Sequence, residues 1–406
     1  MLSNEHIQLV KSTVPLLEAS GSAITDYFYN RLFTHNPEAQ NIFNMSNQAS
    51  GKQSFALFSA IAAYAKNLDN VEQLLSMVER IAQKHTSLNI QPEHYDLVGH
   101  HLIETLRELV PEQFTADVEE AWTVAYQALA AIFIAREGEL YKQREVLKGG
   151  WKGGRQFKLV EKRIESELVK SLVFEPVDGG PVIDYQAGQY IGIEVQPKQS
   201  EFKEIRQYSL SDKANGESYR ISVKREIVGK PGIVSNYLHD GLRLADEVTL
   251  YAPAGDFFLN KTAAPVVLIS AGVGLTPMQS MLETLLAEQG SKEEGSLQKS
   301  APQKIHFLHA CENSAQHSFK KRLTSLVQKN KVKALTWYKS ETLEQADIHH
   351  GFMDLVSVEE QLPLALGDFY LCGPVAFMQF AKQQLVTLGV NDDRIHYEVF
   401  GPHESF

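Results

Sequence analysis

Three stretches of the chain combine residue types that can do chemistry together. The first is Arg206-Gln207-Tyr208-Ser209-Leu210, which alternates charge, ring and small hydroxyl as a half-buried strand does. Arg206 and Tyr208 share one face of such a strand. A cation, a flat ring and a hydroxyl from one strand suit an isoalloxazine ring and its attached phosphate; taken alone, they also suit an ordinary amphipathic barrel strand. The second stretch is Ile81-Ala82-Gln83-Lys84-His85-Thr86, near the end of an amphipathic helix. There a ring nitrogen of His85 can ligate iron in an apolar pocket, or the side chain can simply cap the helix. The third is Ala271-Gly272-Val273-Gly274-Leu275-Thr276-Pro277, which follows the apolar run Pro265-Val266-Val267-Leu268-Ile269-Ser270. Buried strand, glycine turn and helix make a dinucleotide geometry, because glycine lets the backbone approach phosphate. A flavin placed between an iron site and a nicotinamide site would turn a hydride into single electrons.

The elements that must position these residues fall into separate domains. A chain of 406 residues is too long for one ordinary core. With 43% hydrophobic and 22% charged residues, its composition is that of a folded globular protein. A net charge of −11 argues against a large nucleic-acid footprint. Met1-Leu2-Ser3-Asn4-Glu5-His6 lacks a signal-peptide layout, and the longest apolar run, around Ala128–Ala135, is short of the roughly 18 residues a membrane span needs. Cys311 and Cys372, the only cysteines, cannot by themselves hold an iron–sulfur cluster or a structural zinc. A cytoplasmic protein is expected, with no obligatory membrane and no protein partner.

Residues 1–146 read as six to eight helices, which fits a globin-like packing. Phe55, Leu57, Phe58, Ile61, Tyr64, Ala65 and Leu68 form one stripe; Leu74, Leu75, Val78, Ile81 and Ala82 form a second. Ala121 to Arg136 is apolar on most faces and therefore central. Ser3 with His6 makes an unusual capping box, and Pro37, Pro92 and Pro111 fall at expected helix starts. Residues 147–154 carry four glycines in Lys148-Gly149-Gly150-Trp151-Lys152-Gly153-Gly154 and form a short hinge. Over 155–262 the period switches to two, through runs such as 157–160, 168–174, 190–195, 219–224 and 248–251, which predicts an antiparallel barrel. Residues 263–406 alternate strands at 305–310, 334–338 and 369–372 with helical stretches, an α/β domain with a parallel sheet. Its first helix is expected from Met278, and Glu288–Gln303 reads as an exposed, mobile insertion.

Residues 1–146 resemble the globin domain of the bacterial and yeast flavohaemoglobins. The resemblance rests on His35-Asn36-Pro37-Glu38, Ile42-Phe43-Asn44-Met45-Ser46-Asn47-Gln48 and Ile81-Ala82-Gln83-Lys84-His85-Thr86-Ser87. It extends through Gly188-Gln189-Tyr190, Arg206-Gln207-Tyr208-Ser209, Gly232-Ile233-Val234-Ser235-Asn236-Tyr237-Leu238 and Ala252-Pro253-Ala254-Gly255-Asp256-Phe257-Phe258, which are similar to ferredoxin-reductase-like flavin segments. Thr276-Pro277, Tyr370-Leu371-Cys372-Gly373-Pro374 and Ile395-His396-Tyr397-Glu398-Val399-Phe400-Gly401-Pro402 continue it to the carboxyl end. The resemblance implies haem b with His85 as proximal ligand, Tyr95 and Glu137 hydrogen-bonded around it, and Tyr29 and Gln53 lining the distal pocket with Leu57 beside them. It implies FAD held by Tyr190, Arg206, Gln207, Tyr208, Ser209, Val399, Phe400, Gly401 and Pro402, with Phe400 covering the ring. NAD(P)H would take Gly272, Val273, Gly274, Leu275, Thr276 and Pro277. Lys84 and Glu398 would tune both redox potentials. Cys372 would lie near the nicotinamide or serve as a small packing residue.

The implied activity is that of a nitric oxide dioxygenase: electrons pass from NAD(P)H through FAD to haem iron, and nitric oxide and dioxygen become nitrate. Two rivals are an oxygen store or redox sensor, whose NAD(P)H oxidation nitric oxide would not accelerate, and a general reductase of ferric iron, quinones or flavins, whose main activity would survive His85→Ala.

Overall fold

The computed structural model describes residues 2–20, 22–43, 52–229, 231–295 and 304–401. Asn44-Met45-Ser46-Asn47-Gln48, Pro402 and residues 296–303 lie outside that set. Contact density divides the chain into two compact units. The first comprises Met1–Arg155, Gly192–Gln207 and Thr249–Asp256; the second comprises Gln156–Ile191, Tyr208–Val248 and Phe257–Phe406. The first unit thus takes in barrel segments as well as the helical region and the hinge.

The helical region holds α1 (Asn4–Ser20), α2 (Ser22–His35), α3 (Lys52–Lys66), α4 (Leu75–Ser87), α5 (Pro92–Leu109) and α6 (Ala116–Glu145). Short 3-10 turns at Pro37–Asn41 and Val71–Leu74 precede the stretch before α3 and α4 itself. The α1 start is a capping box with histidine in the third slot: the His6 N–H donates to Ser3 Oγ at 3.1 Å, and the Ser3 N–H donates to His6 Nδ1 at 3.4 Å. Helix α6 is the axis of the core. Ala121, Trp122, Ala125, Leu129, Phe133 and Leu140 are buried along it at helical spacing. It runs well beyond the expected 121–136, and Glu137 and Arg144 are buried in that extension. Pro92 opens α5 as expected, because its missing N–H costs nothing in a first turn. Pro111 does not open a helix; it sits in a turn, and α6 begins at Ala116 after Thr115.

The barrel region forms a six-stranded sheet of β1 (Gly154–Ile164), β2 (Val169–Pro176), β3 (Tyr190–Val195), β4 (Glu204–Ser209), β5 (Tyr219–Lys224) and β6 (Glu247–Tyr251), in the order β4-β3-β6-β1-β2-β5. The pairs β1–β2, β2–β5 and β3–β6 are antiparallel. Phe157, Leu159, Leu172, Phe174 and Ile221 are fully buried, and a bulge between Leu159 and Glu161 bends the longest strand. A four-residue helix α7 (Ile233–Asn236) follows β5.

The carboxyl-terminal region carries β7 (Val266–Ala271), α8 (Leu275–Gly295), β8 (Ile305–Cys311), α9 (Lys320–Gln328), β9 (Lys333–Tyr338), β10 (Ile348–His350), β11 (Asp368–Cys372), α10 (Val375–Thr387) and β12 (Ile395–Glu398). The sheet is parallel at every pairing, in the order β10-β9-β8-β7-β11-β12. Val266, Val267, Leu268, Ile269 and Ser270 are all fully buried, which is why β7 reads as one apolar run. Helix α8 starts at Leu275, ahead of the expected Met278, and continues through Glu288 to Gly295. The first part of the expected insertion, to Gly295, is therefore helical. The short edge strand β10 had no sequence signal, since Ile348-His349-His350 lacks an apolar alternation.

Candidate functional site

The first unit assembles a three-residue cluster on three helices, with two members buried and His85 half-buried. Helix α4 turns Val78 and Ala82 into the core and places His85 on the following turn. Helix α5 supplies Tyr95 and α6 supplies Glu137, which is 3% exposed. His85 Nδ1 lies 2.8 Å from Glu137 Oε1 and 2.9 Å from the Tyr95 hydroxyl. The Tyr95 hydroxyl also donates to Glu137 Oε1, at 2.5 Å. A carboxylate can only accept, so the imidazole proton belongs on Nδ1 and the Nε2 lone pair is left available. Burial, and then the Glu137 charge, push the Tyr95 hydroxyl pKa up, so it stays a donor. Phe133 lies 5.9 Å from the His85 ring and stacks on Tyr95 at 6.2 Å. The Tyr126 hydroxyl donates to the Tyr95 carbonyl at 2.6 Å and the Tyr141 hydroxyl to the Ile90 carbonyl at 2.8 Å, fixing the helix that carries Tyr95 and its approach.

These residues fit an iron porphyrin. Nε2 of His85 has no hydrogen-bond partner among the described residues, and its side chain is 31% exposed. Phe43, Leu57, Ile61, Ile81, Leu97 and Val98 come from the corner after the first 3-10 turn and from α3, α4 and α5, and remain only partly buried against one apolar cluster. Such a surface suits a large flat apolar ring. Tyr29, on α2, is 2% exposed and packs edge-on against Phe28 and Phe43, with ring centroids 5.0 and 5.6 Å away. Gln53 lies on α3, with its side chain outside the described residues.

The expected flavin residues are distributed along β3, β4 and the segment after β12. In the first unit the Arg206 guanidinium donates to Glu204 Oε2 and to the Ile205 carbonyl, both at 2.8 Å. Its charge therefore has an internal carboxylate partner, 5% exposed, that the sequence alone does not reveal. Gln207 donates its amide to Ser87 Oγ at 2.5 Å and to the Lys84 carbonyl at 3.4 Å, so it reaches helix α4 rather than open space. In the second unit Tyr190 and Tyr208 are half-buried and Ser209 is buried. Val399 is buried, Phe400 is 45% exposed, and Gly401 takes a φ of 143° that favours glycine.

The nicotinamide-side residues converge at the point where the strand order reverses. From β7 the chain adds β8, β9 and β10 on one side, then returns to add β11 and β12 on the other. In open α/β sheets this crevice, at the carboxyl ends of the strands, is where ligands bind. Here the turns after β7 and β11 meet so closely that a Cβ on Gly274 would stand 2.2 Å from the Cys372 carbonyl oxygen. Gly272 has a φ of 53°, and Leu275 and Thr276 are buried, with the Thr276 hydroxyl donating to the Val273 carbonyl at 3.0 Å. Pro277 follows in the first turn of α8. Cys372 is fully buried in the apolar cluster under α8, and burial pushes its thiol pKa well up, as suits a packing residue. Lys84 is half-buried on α4; Glu398 is half-buried on β12, opposite Cys372 in the register.

Sequence reasoning missed Gln83, Arg144 and Glu204. Gln83 is 9% exposed and Arg144 8% exposed. Arg144 donates to Gln83 Oε1 at 2.5 Å and to Thr86 Oγ1 at 2.6 Å. No spacing along the chain marks Gln83 or Arg144, because the two meet each other, and Gln83 meets Gly255, across separate elements. No helix among the described residues is long and apolar enough to cross a membrane.

Comparison with known proteins agrees with this layout. The chain matches the Globin family over residues 26–133, the Oxidoreductase FAD-binding domain over 156–259 and the Oxidoreductase NAD-binding domain over 268–383. It is 55% identical to the flavohemoprotein of Vibrio cholerae serotype O1 over 405 residues, 99% of each chain. A crystal structure of flavohemoglobin from Malassezia yamatoensis with bound FAD and heme superposes with a TM-score of 0.83 at 27% identity, covering 98% of this chain and 100% of that one. The FAD/NAD-binding domain of nitric oxide dioxygenase from Vibrio cholerae O1 biovar El Tor matches at 49% identity with a TM-score of 0.55, over 62% of this chain and 100% of that one. With a helical globin region, an antiparallel FAD domain and a parallel-sheet NAD domain in one chain, this protein belongs to the flavohaemoglobin family, NAD(P)H-dependent globin–reductases that carry haem and FAD.

Proposed function

We propose that this chain is a nitric oxide dioxygenase, taking nitric oxide and dioxygen as substrates and releasing nitrate. The observation that carries the reading is the buried Glu137 carboxylate, 2.8 Å from His85 Nδ1 and shared with the Tyr95 hydroxyl. When bound, haem and FAD supply the one-electron and dioxygen chemistry that side chains cannot. Glu137 accepts the Nδ1 proton and raises the donor strength of Nε2, which favours dioxygen activation over reversible storage. Tyr95 holds the same carboxylate from the other side and so fixes the imidazole plane. Tyr29 and Gln53 are proposed as hydrogen-bond donors to the dioxygen substrate, and the apolar rings packed around Tyr29 would strengthen such bonds. Each nitrate requires one electron, so one hydride serves two turnovers. Arg206, Tyr208 and Ser209, with Tyr190 and the segment from Val399 to Gly401, are proposed to seat the flavin, and the turns at Gly272–Thr276 the nicotinamide dinucleotide. Lys84 and Glu398 are proposed to adjust the two potentials. The Vibrio cholerae protein whose FAD/NAD-binding domain is 49% identical to this chain is named a nitric oxide dioxygenase, which supports the reading.

The test is anaerobic mixing of cofactor-loaded protein with NADH, followed by dioxygen and nitric oxide. Flavin bleaching, then haem reduction, then nitrate formation that depends on nitric oxide is the expected sequence. In His85→Ala, flavin bleaching should persist while nitrate formation disappears. A His85→Ala chain that keeps its main NADH-consuming activity would instead identify a general reductase.

A further inference from the structure

We infer that one face of helix α4 is a docking surface for the flavin strand, with Gln83 and Ser87 as the residues that position the haem-ligand helix against it. Arg80, Gln83, Lys84 and Ser87 follow the i, i+3, i+4, i+7 spacing and so share one stripe. Every one of them meets a barrel segment that belongs to the same compact unit. Arg80 Nε lies 3.7 Å from Asp256 Oδ2. The Gly255 N–H donates to Gln83 Oε1 at 3.1 Å. The Gln207 amide donates to the Lys84 carbonyl at 3.4 Å and to Ser87 Oγ at 2.5 Å. On β3, Gly192 lies so close to helix α4 that an added Cβ would stand 1.9 Å from the Ser87 carbonyl oxygen. Only glycine permits that approach.

His85 belongs to a different stripe, with Val78, Ile81 and Ala82, and is held by Tyr95 and Glu137. One rigid helix therefore carries the ligand on one face and the flavin strand on another. Gln83 cannot swing, because Arg144 donates to its Oε1 at 2.5 Å and its Nε2 donates to Glu79 Oε1 at 2.8 Å. Ser87 is fixed by donating to the Lys84 carbonyl at 2.7 Å. Gln207 sits between Arg206 and Tyr208, the two residues proposed to meet flavin, so a shift of this clasp moves the strand that seats the electron donor. This inference rests on the flavin-to-haem relay expected of a globin–reductase and names the residues that set its geometry. Displacing a positioned reacting group by about 1 Å can cost as much as a hundredfold in rate.

The experiment uses the full chain loaded with haem and FAD, and follows flavin bleaching and haem reduction separately after anaerobic mixing with NADH. In Gln83→Met, flavin bleaching should be unchanged while haem reduction slows by roughly tenfold. Ser87→Ala, a milder change that removes the acceptor of Gln207, should slow the same phase by a smaller factor. Gln83→Glu keeps an acceptor for the Gly255 N–H and for Arg144 but loses the donor to Glu79 and sets two carboxylates together, so haem reduction should recover only in part. Independently of cofactors, hydrogen exchange at the Gly255 amide of the cofactor-free chain should speed up in Gln83→Met and not in Gln83→Glu. Haem reduction at the wild-type rate in both Gln83→Met and Ser87→Ala would overturn the inference, as would equal slowing of the flavin phase. Should Gln83→Met fail to fold, Ser87→Ala decides alone. A wild-type chain whose flavin bleaches while its haem stays ferric would overturn the relay itself, an outcome distinct from unchanged variants in a working relay.

Discussion

His85 and His317 each hold a tyrosine hydroxyl 2.9 Å from Nδ1, the one through Tyr95 in the helical region and the other through Tyr338 beside the parallel sheet. Around His85 the third partner is a buried carboxylate, Glu137. Around His317 it is another imidazole, His309, with ring centroids 4.9 Å apart, and His309 in turn meets the Ser270 hydroxyl at 2.9 Å. No carboxylate lies within hydrogen-bond reach of His309 or His317 among the described residues. Burial therefore holds both neutral: His317 is lowered to about 4, with Lys320 adding to the effect, and His309 lies well below its ordinary value. Both Nε2 atoms are telling. That of His309 is buried with no hydrogen-bond partner, whereas that of His85 has none among the described residues on a side chain that is 31% exposed. The same residue pair thus packs as a neutral polar core in one place and in the other meets a buried carboxylate, as the proposed iron-ligand role of His85 requires.

The strongest way to break this comparison is to remove that carboxylate's charge without changing its shape. Glu137→Gln should lower haem affinity or nitric-oxide-dependent turnover by about ten- to a hundredfold, the usual loss when the partner of a ligating histidine is mutated. His309→Phe, at the other cluster, should leave both quantities at the wild-type level. Haem titration of the cofactor-free chain and nitrate formation by the loaded one read the two effects. A Glu137→Gln protein indistinguishable from wild type would show that the carboxylate is not what separates the clusters.

A pH series sharpens the contrast from the other side. His317 has a folded pKa below its ordinary 6.5, so the unfolded chain takes up the proton first. Its stabilising contribution is complete above about pH 6.5 and is lost as pH falls from there toward about 4. The slope approaches ~1.4 kcal/mol per pH unit for one proton. His101 and His306, also lowered to about 4, add their own slopes, so the readout is the difference between wild type and variant. Denaturant unfolding of His317→Phe should show a flatter decline between pH 6.5 and 4 than wild type. Parallel curves would mean that His317 already exchanges its proton in the folded state.

Much of the fold was legible because its signals are local. The alternation of Tyr219–Lys224 and the apolar run of Pro265–Ser270 reflect which faces of a strand are buried, and the first became a strand with those bounds and the second a strand one residue on, at Val266–Ala271. Pro111 misled because a proline suits the start of any turn, and only the Thr115 position and the acidic residues after it mark the real helix start. Helix α8 ran past Glu288 because Lys and Glu are good helix formers even where they are exposed. The site was less legible. His85 by itself does not reveal Glu137, which stands 52 residues away on another helix, and only the family resemblance joined them. Glu204, Gln83 and Arg144 were invisible for the same reason. A buried charge or amide is defined by partners that the fold brings from elsewhere, so no spacing along the chain announces it.

The smallest expected effect is a matched pair of tyrosine substitutions, which asks whether the two hydroxyls do the same work. Tyr95→Phe removes a donor to a buried carboxylate at 2.5 Å, and hydrogen bonds to charged groups contribute roughly 1.5–3 kcal/mol. Tyr338→Phe removes a bond to a neutral imidazole at 2.9 Å, where roughly 0.5–1.5 kcal/mol is usual. The Tyr95→Phe variant should therefore lose about 1 kcal/mol more, read as a larger shift in denaturant midpoint at unchanged slope. Combining Tyr95→Phe with Glu137→Gln should cost less than the two changes added, because both act on one bond. Combining Tyr95→Phe with Tyr338→Phe should be additive, since they share no partner. Equal losses for the two tyrosines would place the energy in ring packing, against Phe133 in one case and His317 in the other, and not in the charge that the helical cluster holds.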